Sequence, residues 1–430
     1  MMAETTTAIG PECTHIEFEI VSESWEIKAL GSLLTNGRLG GNYQNREGDA
    51  EFPLMKMGNI SRGRFNLSKV EFIAPGIRPD PEHRLIKGDV LFNTRNTLDL
   101  VGKVAIWRDE LAQAYYNSNL MRLEFDPTKI TNEYANLFLN AVGSIALLRT
   151  LATGTTSVAA IYTRDLLTLP FAVPPLTEQQ AIAAALGDVD TLLDGIDRLI
   201  DKKRDLKLAA MQQLLTRQTR LSGFKGAWDL MHLGSFGECL RGVSYRGDGD
   251  LSPHDTISTK RLLRSNNVQN ASIVTDEVQF VDSDCVSSRQ LLKKNDILIC
   301  MANGSKALVG KAGLFSLSDS YDYTFGAFMG CFRTYSADAN PTFIFYLFQT
   351  TNYRDYISNL LAGSSINNLT PRSIESLIFS IPQLPEQTAI AAVLSEMDTE
   401  LAALESRRDK TLALKQSMMQ ELLTGRIRLV

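Results

Sequence analysis

EQQAIAAALGDVDTLLDGIDRLIDKKRDLKLAAMQQLLTRQTRL, residues 178–221, returns as EQTAIAAVLSEMDTELAALESRRDKTLALKQSMMQELLTGRIRL at residues 386–429, shifted by 208 positions without a gap. About 21 of the 44 aligned positions are identical, so the chain is two half-molecules in series. Both copies are helical in pattern, and each follows a long stretch that is not. Apolar residues step alternately by four and three: Ile182, Leu186, Val189, Leu193, Ile196, Ile200 in the first copy, and Ile390, Leu394, Met397, Leu401, Leu404 in the second. A 3.5-residue repeat makes a narrow seam that wants one partner helix, and the economical partner is the other copy, giving an antiparallel pair. The seam loosens at the charged stretches Asp201–Asp205 and Arg407–Lys410. A helix from Glu178 to Leu215 would be roughly 57 Å long. Such a pair is either a generic oligomerisation coiled coil or a ruler between two heads, which would face half-sites about 34–36 Å apart.

Working outward, the two non-helical stretches share a plan. Trp25-Glu-Ile-Lys-Ala-Leu-Gly-Ser matches Trp228-Asp-Leu-Met-His-Leu-Gly-Ser. Short β-type runs follow, broken by Gly, Asn and Asp, which argues for half-buried strands in mixed α/β domains. A Lys-x-Asp-[Val/Ile]-Leu core (Lys87 to Leu91; Lys294 to Leu298) and a Val-Gly-Lys step (Val101 to Lys103; Val309 to Lys311) keep nearly the same offset. Each half then enters an apolar helix, passes a Gly/Ser/Thr hinge (Gly154 to Ser157; Gly363 to Ser365) and leaves through prolines (Pro174, Pro175; Pro382, Pro385). Proline ahead of Glu178 and Glu386 suits a helix start with acid in the first turn. The expected division is an acidic arm at 1–24, a first head at 25–175, a first spacer helix at 176–222, a second head at 223–383 and a second spacer helix at 384–430. The expected fold class is α+β (mixed α/β): two similar globular domains separated by two long helices that pair as an antiparallel coiled coil, a pseudo-two-fold internal repeat.

An apolar content of 44% is ordinary for a folded domain, and no run of about 18 apolar residues predicts a membrane span. The N-terminus lacks the basic and apolar regions of a secretory signal. Five scattered cysteines (Cys13, Cys239, Cys285, Cys300, Cys331), never in CxxC spacing, point to a reducing cytoplasm and away from disulfides or zinc. The four histidines form no HExxH or HxxxH pair. The net charge is −5, and no segment is strongly basic: 25–175 holds 17 bases and 15 acids, and 225–381 holds 14 and 15. A DNA binder of this charge should bind weakly alone and lean on partners for phosphate attraction. There is no Walker A loop, GxSxG, GxGxxG with a placed acid, methyltransferase tetrapeptide or glycine-rich S-adenosylmethionine loop. Pro79-Asp80 reads as a turn, and Asn303-Gly304-Ser305-Lys306 as a turn or a phosphate cradle. A chain without a catalytic constellation suits a binding or adaptor role.

The Pro-x-Leu-x-Glu-Gln openings (Pro174 to Gln179; Pro382 to Gln387), the long helices ending Gln-x-Leu-Leu-Thr (Gln212 to Thr216; Gln420 to Thr424), and Gly223-Phe-Lys-Gly-Ala-Trp228 resemble the specificity subunit of type I restriction–modification enzymes. The resemblance spans essentially the whole chain. The second head (RGVSYRGD, LLRSNNVQN, MANGSKALVGKAG, FGAFMG, SSINNL) is especially similar to target-recognition domains of that family, and the first matches in general plan. The resemblance implies that each head reads one half of a split, asymmetric double-stranded DNA target. It implies that the helices dock two adenine-N6 methyltransferase subunits carrying S-adenosylmethionine, and that restriction subunits using ATP and Mg join them. This chain would then have no catalysis, no bound cofactor, no metal and no membrane contact.

Base readout needs Arg or Lys for guanine and Asn or Gln for adenine on ordered elements. The candidates in the first head are Lys56, Asn59, Arg62, Arg64, Arg95 and Asn96. In the second they are Arg241, Tyr245, Arg264, Asn266, Asn267, Asn303, Ser305, Lys306, Asn367 and Asn368. Tyr43 and Tyr245 either stack on bases or pack. The alternative function is a coiled-coil adaptor joining two non-DNA ligands.

Overall fold

The proline exit of each head delivers a glutamate and a glutamine into the protein interior. Glu178 and Gln179 are 0% exposed, and Glu386 and Gln387 are 3% and 1%. A buried carboxylate must be paired, and both are. Trp25 donates its indole N–H to Glu178 at 3.1 Å, and Arg428 donates through Nη2 at 2.7 Å and also through Nε. Trp228 donates to Glu386 at 3.2 Å, and Arg220 through Nε and Nη2 at 2.9 and 2.5 Å. The glutamines act alike. Gln179 donates to the carbonyls of Lys129 and Pro174 and accepts from Thr131 N–H, while Gln387 donates to Asp338 and Pro382 and accepts from Asn340 N–H. The repeated Glu-Gln therefore clamps a head to the start of its helix.

The computed structural model describes residues 22, 24–362 and 367–429. Two helices of 40 residues, Leu176–Leu215 and Leu384–Leu423, run through it. The chain divides into one unit of residues 1–197 with 406–430 and another of 198–405, so each unit owns a head and half of each helix. The acidic arm expected at 1–24 lies outside the described residues apart from Ser22 and Ser24, whose hydroxyls accept from Arg428 Nη1 at 2.9 and 2.6 Å. Gly363 to Ser365 also lie outside them. The corresponding stretch of the first head is a small hairpin, Thr153–Gly154 against Ala159–Ala160.

In the first unit a ribbon closes the head, Glu26–Ala29 antiparallel to Pro170–Val173. One sheet runs in the order Leu34–Leu39, Leu120–Phe125, Val90–Asn93, Val104–Ile106, and a second in the order Asn45–Arg46, Glu71–Ile73, Pro53–Met55, Tyr115–Tyr116. The hairpin Ile60–Ser61/Arg64–Phe65 stands beside them. The second unit repeats this plan. Its ribbon is Asp229–His232 with Ile378–Ile381, and its sheets are built on Gly237–Arg241, Met329–Thr334, Ile297–Cys300, Ala312–Leu314 and on Leu251–Ser252, Gln279–Asp282, Thr259–Leu263, Tyr323–Phe325. Here the hairpin Val268–Gln269/Ser272–Ile273 joins the first sheet, making six strands. The single apolar helix expected in each half is two. Asn132–Leu139 and Val142–Thr150 break where Asn140 turns its amide to Val104 O, and Pro341–Leu347 and Thr351–Ala362 break where Thr350 Oγ1 bonds Leu347 O.

Between the helices, Lys415 pairs with Asp190 and Arg408 with Asp197 in the first unit, at 2.6 and 2.5 Å. In the second unit Lys203 pairs with Glu400 at 2.5 Å, Arg204 with Glu405 at 2.6 Å, and Lys207 with Asp398. In the first unit the partner falls from Lys415 to Arg408 as the helix runs from Asp190 to Asp197, and in the second from Glu400 to Asp398 between Lys203 and Lys207, so the pairing is antiparallel. The charged stretches read as a loosening are where the helices are tied by ion pairs flanking the seam, a partner-specifying device. Leu193, Ile196, Ile200 and Leu401 are buried, and Val189, Met397 and Leu404 half-buried. The outer seam positions differ from a pure helix pair. Ile182 and Leu186 belong to the first head's core with Trp25, Phe171 and Leu422, and Ile390 and Leu394 to the second's with Trp228, Phe343 and Leu214.

Glu386→Ala would leave Arg220 and the Trp228 N–H facing a vacated apolar pocket. Its melting midpoint by calorimetry should fall by about 5–10 °C. An unchanged midpoint would show that the clamp does not hold the fold.

Candidate nucleic-acid interface

In the second unit most of the candidates meet on one surface. The segment after Gly237–Arg241 runs along the turn at Gly326, bonded through Val243 N–H to Phe325 O at 2.7 Å. Tyr245 and Arg264 both lie over Gly326: a Cβ built there would be 3.8 Å from Tyr245 Cε1 and 4.0 Å from Arg264 Cγ. Ser265 Oγ accepts from Asn303 Nδ2 at 3.4 Å. Asn303 Oδ1 accepts from Ser305 N–H at 3.0 Å, Gly304 O accepts from Asn367 Nδ2 at 3.3 Å, and Asn368 bridges Ala302. The loop 304–308 is exposed throughout. Asn303-Gly304-Ser305 is an Asx turn leading into the 3-10 turn Lys306–Leu308. Arg241 and Lys306 are exposed and pair with no carboxylate among the described residues.

The first unit builds the corresponding surface from different side chains. Asn117 N–H donates to Met55 O beside Lys56, and Thr94 N–H to Asn119 O. Arg95 and Asn96 form a short strand paired with Ala159–Ala160. Arg95 is exposed and has no carboxylate partner among the described residues, whereas Lys56 is neutralised by Glu71 at 2.9 Å.

Three candidates are corrected. Asn59 and Asn267 are 4% and 1% exposed. Asn59 Nδ2 donates to the carbonyls of Asn66 and Lys69, and its Oδ1 accepts from Lys56 N–H; Asn267 repeats this with Val274, Glu277 and Arg264. Each pins a loop from within, so no edge is left for a base. Arg64 turns away to Asp194 at 2.8 Å and Asp190 at 3.2 Å, tying its hairpin to the long helix. Arg62 stands at the tip of the same hairpin, where the neighbouring Gly63 N–H donates to Val104 O at 2.8 Å. Tyr43 packs: its hydroxyl meets His83 Nδ1 at 2.6 Å and accepts from Asp80 N–H, among Phe52 and Ile77. Burial raises the pKa of Tyr43 and lowers that of His83. Asp80 caps Pro81–His83, the turn expected at Pro79-Asp80.

One aromatic escaped the sequence reading. Phe328 is 72% exposed, and its carbonyl accepts from Met301 and Ala302 N–H at 2.9 and 3.1 Å, placing it beside the Asn303 turn. An exposed ring next to polar groups can stack on a base or wedge between base pairs. The signal was the short FGAFMG segment, where a second phenylalanine sits outside strand alternation. The Lys-x-Asp core is structural: Asp89 and Asp296 each accept from a backbone N–H three residues earlier and pair with Arg122 and Arg333.

Residues 22–203 and 263–414 match the family described as type I restriction modification DNA specificity domain. The chain is 23% identical over 425 residues to a protein described as the type I restriction enzyme MjaX specificity subunit of Methanocaldococcus jannaschii, covering 95% of each. It is 33% identical over 183 residues to the type I restriction enzyme EcoKI specificity subunit of Escherichia coli, 42% of this chain and 38% of that one. Its fold is similar to the crystal structure of a type I restriction-modification S subunit from M. genitalium, with a TM-score of 0.60 at 14% identity, over 94% of this chain and 97% of that one. A likeness over both units and a family match across more than half the sequence lead to one conclusion: the chain belongs to the type I restriction modification DNA specificity domain family.

Proposed function

We propose that this chain is the specificity subunit of a type I restriction–modification complex, each head reading one half of a bipartite, asymmetric DNA duplex. The observation that carries the reading is the loop surface placed alike in both heads (94–97 and 302–305) on a scaffold that otherwise repeats. Arg95 and Arg241 suit guanine, Asn96, Asn303 and Asn368 suit adenine, and Phe328 adds a stacking face. The long helices serve as spacer and docking surface for two adenine-N6 methyltransferase subunits that hold S-adenosylmethionine. Restriction subunits bring ATP and Mg, and catalysis resides in these partners. A net charge of −5 accords with leaving much of the phosphate attraction to them. The location is cytoplasmic; among the described residues no helix is long and apolar enough to cross a membrane.

Single-molecule methylation mapping of a genome carrying this gene and a neighbouring methyltransferase gene, against its deletion, should reveal a split motif with N6-methyladenine in each half, lost on deletion. Unchanged methylation would favour the adaptor. On the mapped target, Asn303→Ala and Phe328→Ala should each cost roughly 5- to 150-fold in affinity, from about 1–3 kcal/mol per base contact, with non-specific binding kept. Asn267→Ala should instead lower the melting midpoint and leave the mapped motif unchanged. A changed motif in Asn267→Ala would return that residue to the readout.

A further inference from the structure

The Val-Gly-Lys step recurs 208 residues apart, and its lysines are not among the base-readout candidates. In the first unit Gly102 turns the chain at φ 76° against Leu148, where a Cβ would lie 3.4 Å from Leu148 Cβ. Lys103 follows, half-buried. Two further cations converge on it. The Arg62-Gly63 hairpin tip docks alongside, Gly63 N–H donating to Val104 O at 2.8 Å and Gly63 bridging Ala105. Arg149 follows Leu148 near the end of Val142–Thr150. The one carboxylate that pairs with these three among the described residues is Asp99, 3.8 Å from Arg149 and 88% exposed. Arg62 Nη1 is buried without a hydrogen-bond partner. So is the Oγ of Ser144, a residue 1% exposed and one turn before Leu148. Burial and then Arg149 press the pKa of Arg62 down, and burial and then Arg62 press that of Lys103 down. Partly desolvated like charges with spare donors are stabilised by a bound anion.

The second unit places the same step in a cleft. Gly310 turns at φ 80°, and Lys311 lines a cavity of about 440 Å3 with Ser265, Asn266, Gln269, Asn270 and Leu308. Asn270, at the hairpin tip, stands 208 residues after Arg62.

We propose that the lysine of each Val-Gly-Lys step and the hairpin tip beside it form a phosphate-binding site for the DNA backbone, Arg62, Lys103 and Arg149 in the first head and Lys311 with Asn266 and Asn270 in the second. This rests on the DNA reading above and moves Arg62 and Asn266 from base readout to the backbone. A phosphodiester offers two non-bridging oxygens and one negative charge, which the half-buried Arg62 guanidinium and Lys103 ammonium match with charge-assisted hydrogen bonds. Such a contact fixes register and carries no sequence information.

The test is fluorescence anisotropy of the full-length protein, alone and with the methyltransferase subunit, on a duplex holding the mapped target and on an unrelated duplex, across a salt series. Arg62→Gln, Lys103→Gln and Lys311→Gln should each reduce the slope of log affinity against log salt by about 0.9. Each should weaken both duplexes by the same factor, while Arg62→Lys and Lys103→Arg keep the slope. The melting midpoint of Arg62→Gln should be no lower than that of the unsubstituted protein, because a like-charged neighbour is removed. Unchanged slopes in the glutamine variants, with the unsubstituted protein still binding, would overturn the site and leave the DNA reading intact. So would a loss confined to the target duplex, which marks base readout. If the unsubstituted protein binds neither duplex in either assembly, the DNA reading falls and the site falls with it.

Discussion

A buried carboxylate organises each half of this protein. Glu178 and Glu386 sit where the chain passes from head to helix, and each is held by a tryptophan from the head's first residues and an arginine from beyond the end of the other helix. Three distant stretches of sequence must arrive together to satisfy Glu178, and two to satisfy Glu386, whose Arg220 and Trp228 come from one stretch. An ionised group left unpaired in an apolar interior costs far more than a lost contact. The clamp therefore fixes the geometry of the helix start more sharply than apolar burial could. Gln179 and Gln387 extend it by tying the same helix turn to the backbone ahead of Asn132–Leu139 and Pro341–Leu347.

Upon that constant base the two heads vary. Their sheets share strand order, and their internal pins are the same residues in the same roles: Asn59 and Asn267 inside a loop, Asp89 and Asp296 under an arginine. The exposed loops carry unlike side chains, Arg95-Asn96 in one and Asn303-Gly304-Ser305 in the other. A scaffold whose polar interior is satisfied independently of its loops tolerates loop change without loss of fold. That is the condition for altering recognition while keeping architecture.

Much of this was legible in the sequence because periodicity and repetition report on backbone geometry. The repeat offset gave the two-headed plan, and the four-three spacing gave helices that pair. The resemblance carried the family. What stayed hidden were properties of side-chain direction. Asn59 and Asn267 have the composition of base readers and are buried, since a short amide fills three backbone hydrogen bonds as readily as it meets adenine. Arg64 spends its charge on Asp190 and Asp194, carboxylates from 126 and 130 residues away that no local pattern reveals. Glu178 and Glu386 looked like ordinary first-turn acids. Their tryptophan and arginine partners lie too far along the chain for helical periodicity to report. The break at Asn140 was masked because both flanking segments are apolar and helical by composition.

The division of the chain into units has a consequence for biogenesis. Residues 198–405 form a continuous segment, so a ribosome delivers every part of that unit, Arg220 and Glu386 included, before its last strand of helix is needed elsewhere. The other unit is discontinuous: Glu178 is translated 250 residues ahead of Arg428. At roughly 5–20 residues per second, that glutamate waits on the order of ten seconds or more for its countercharge. All segments of the 198–405 unit are thus synthesised before the earlier-begun unit receives residues 406–430 and the Arg428 that pairs with its glutamate.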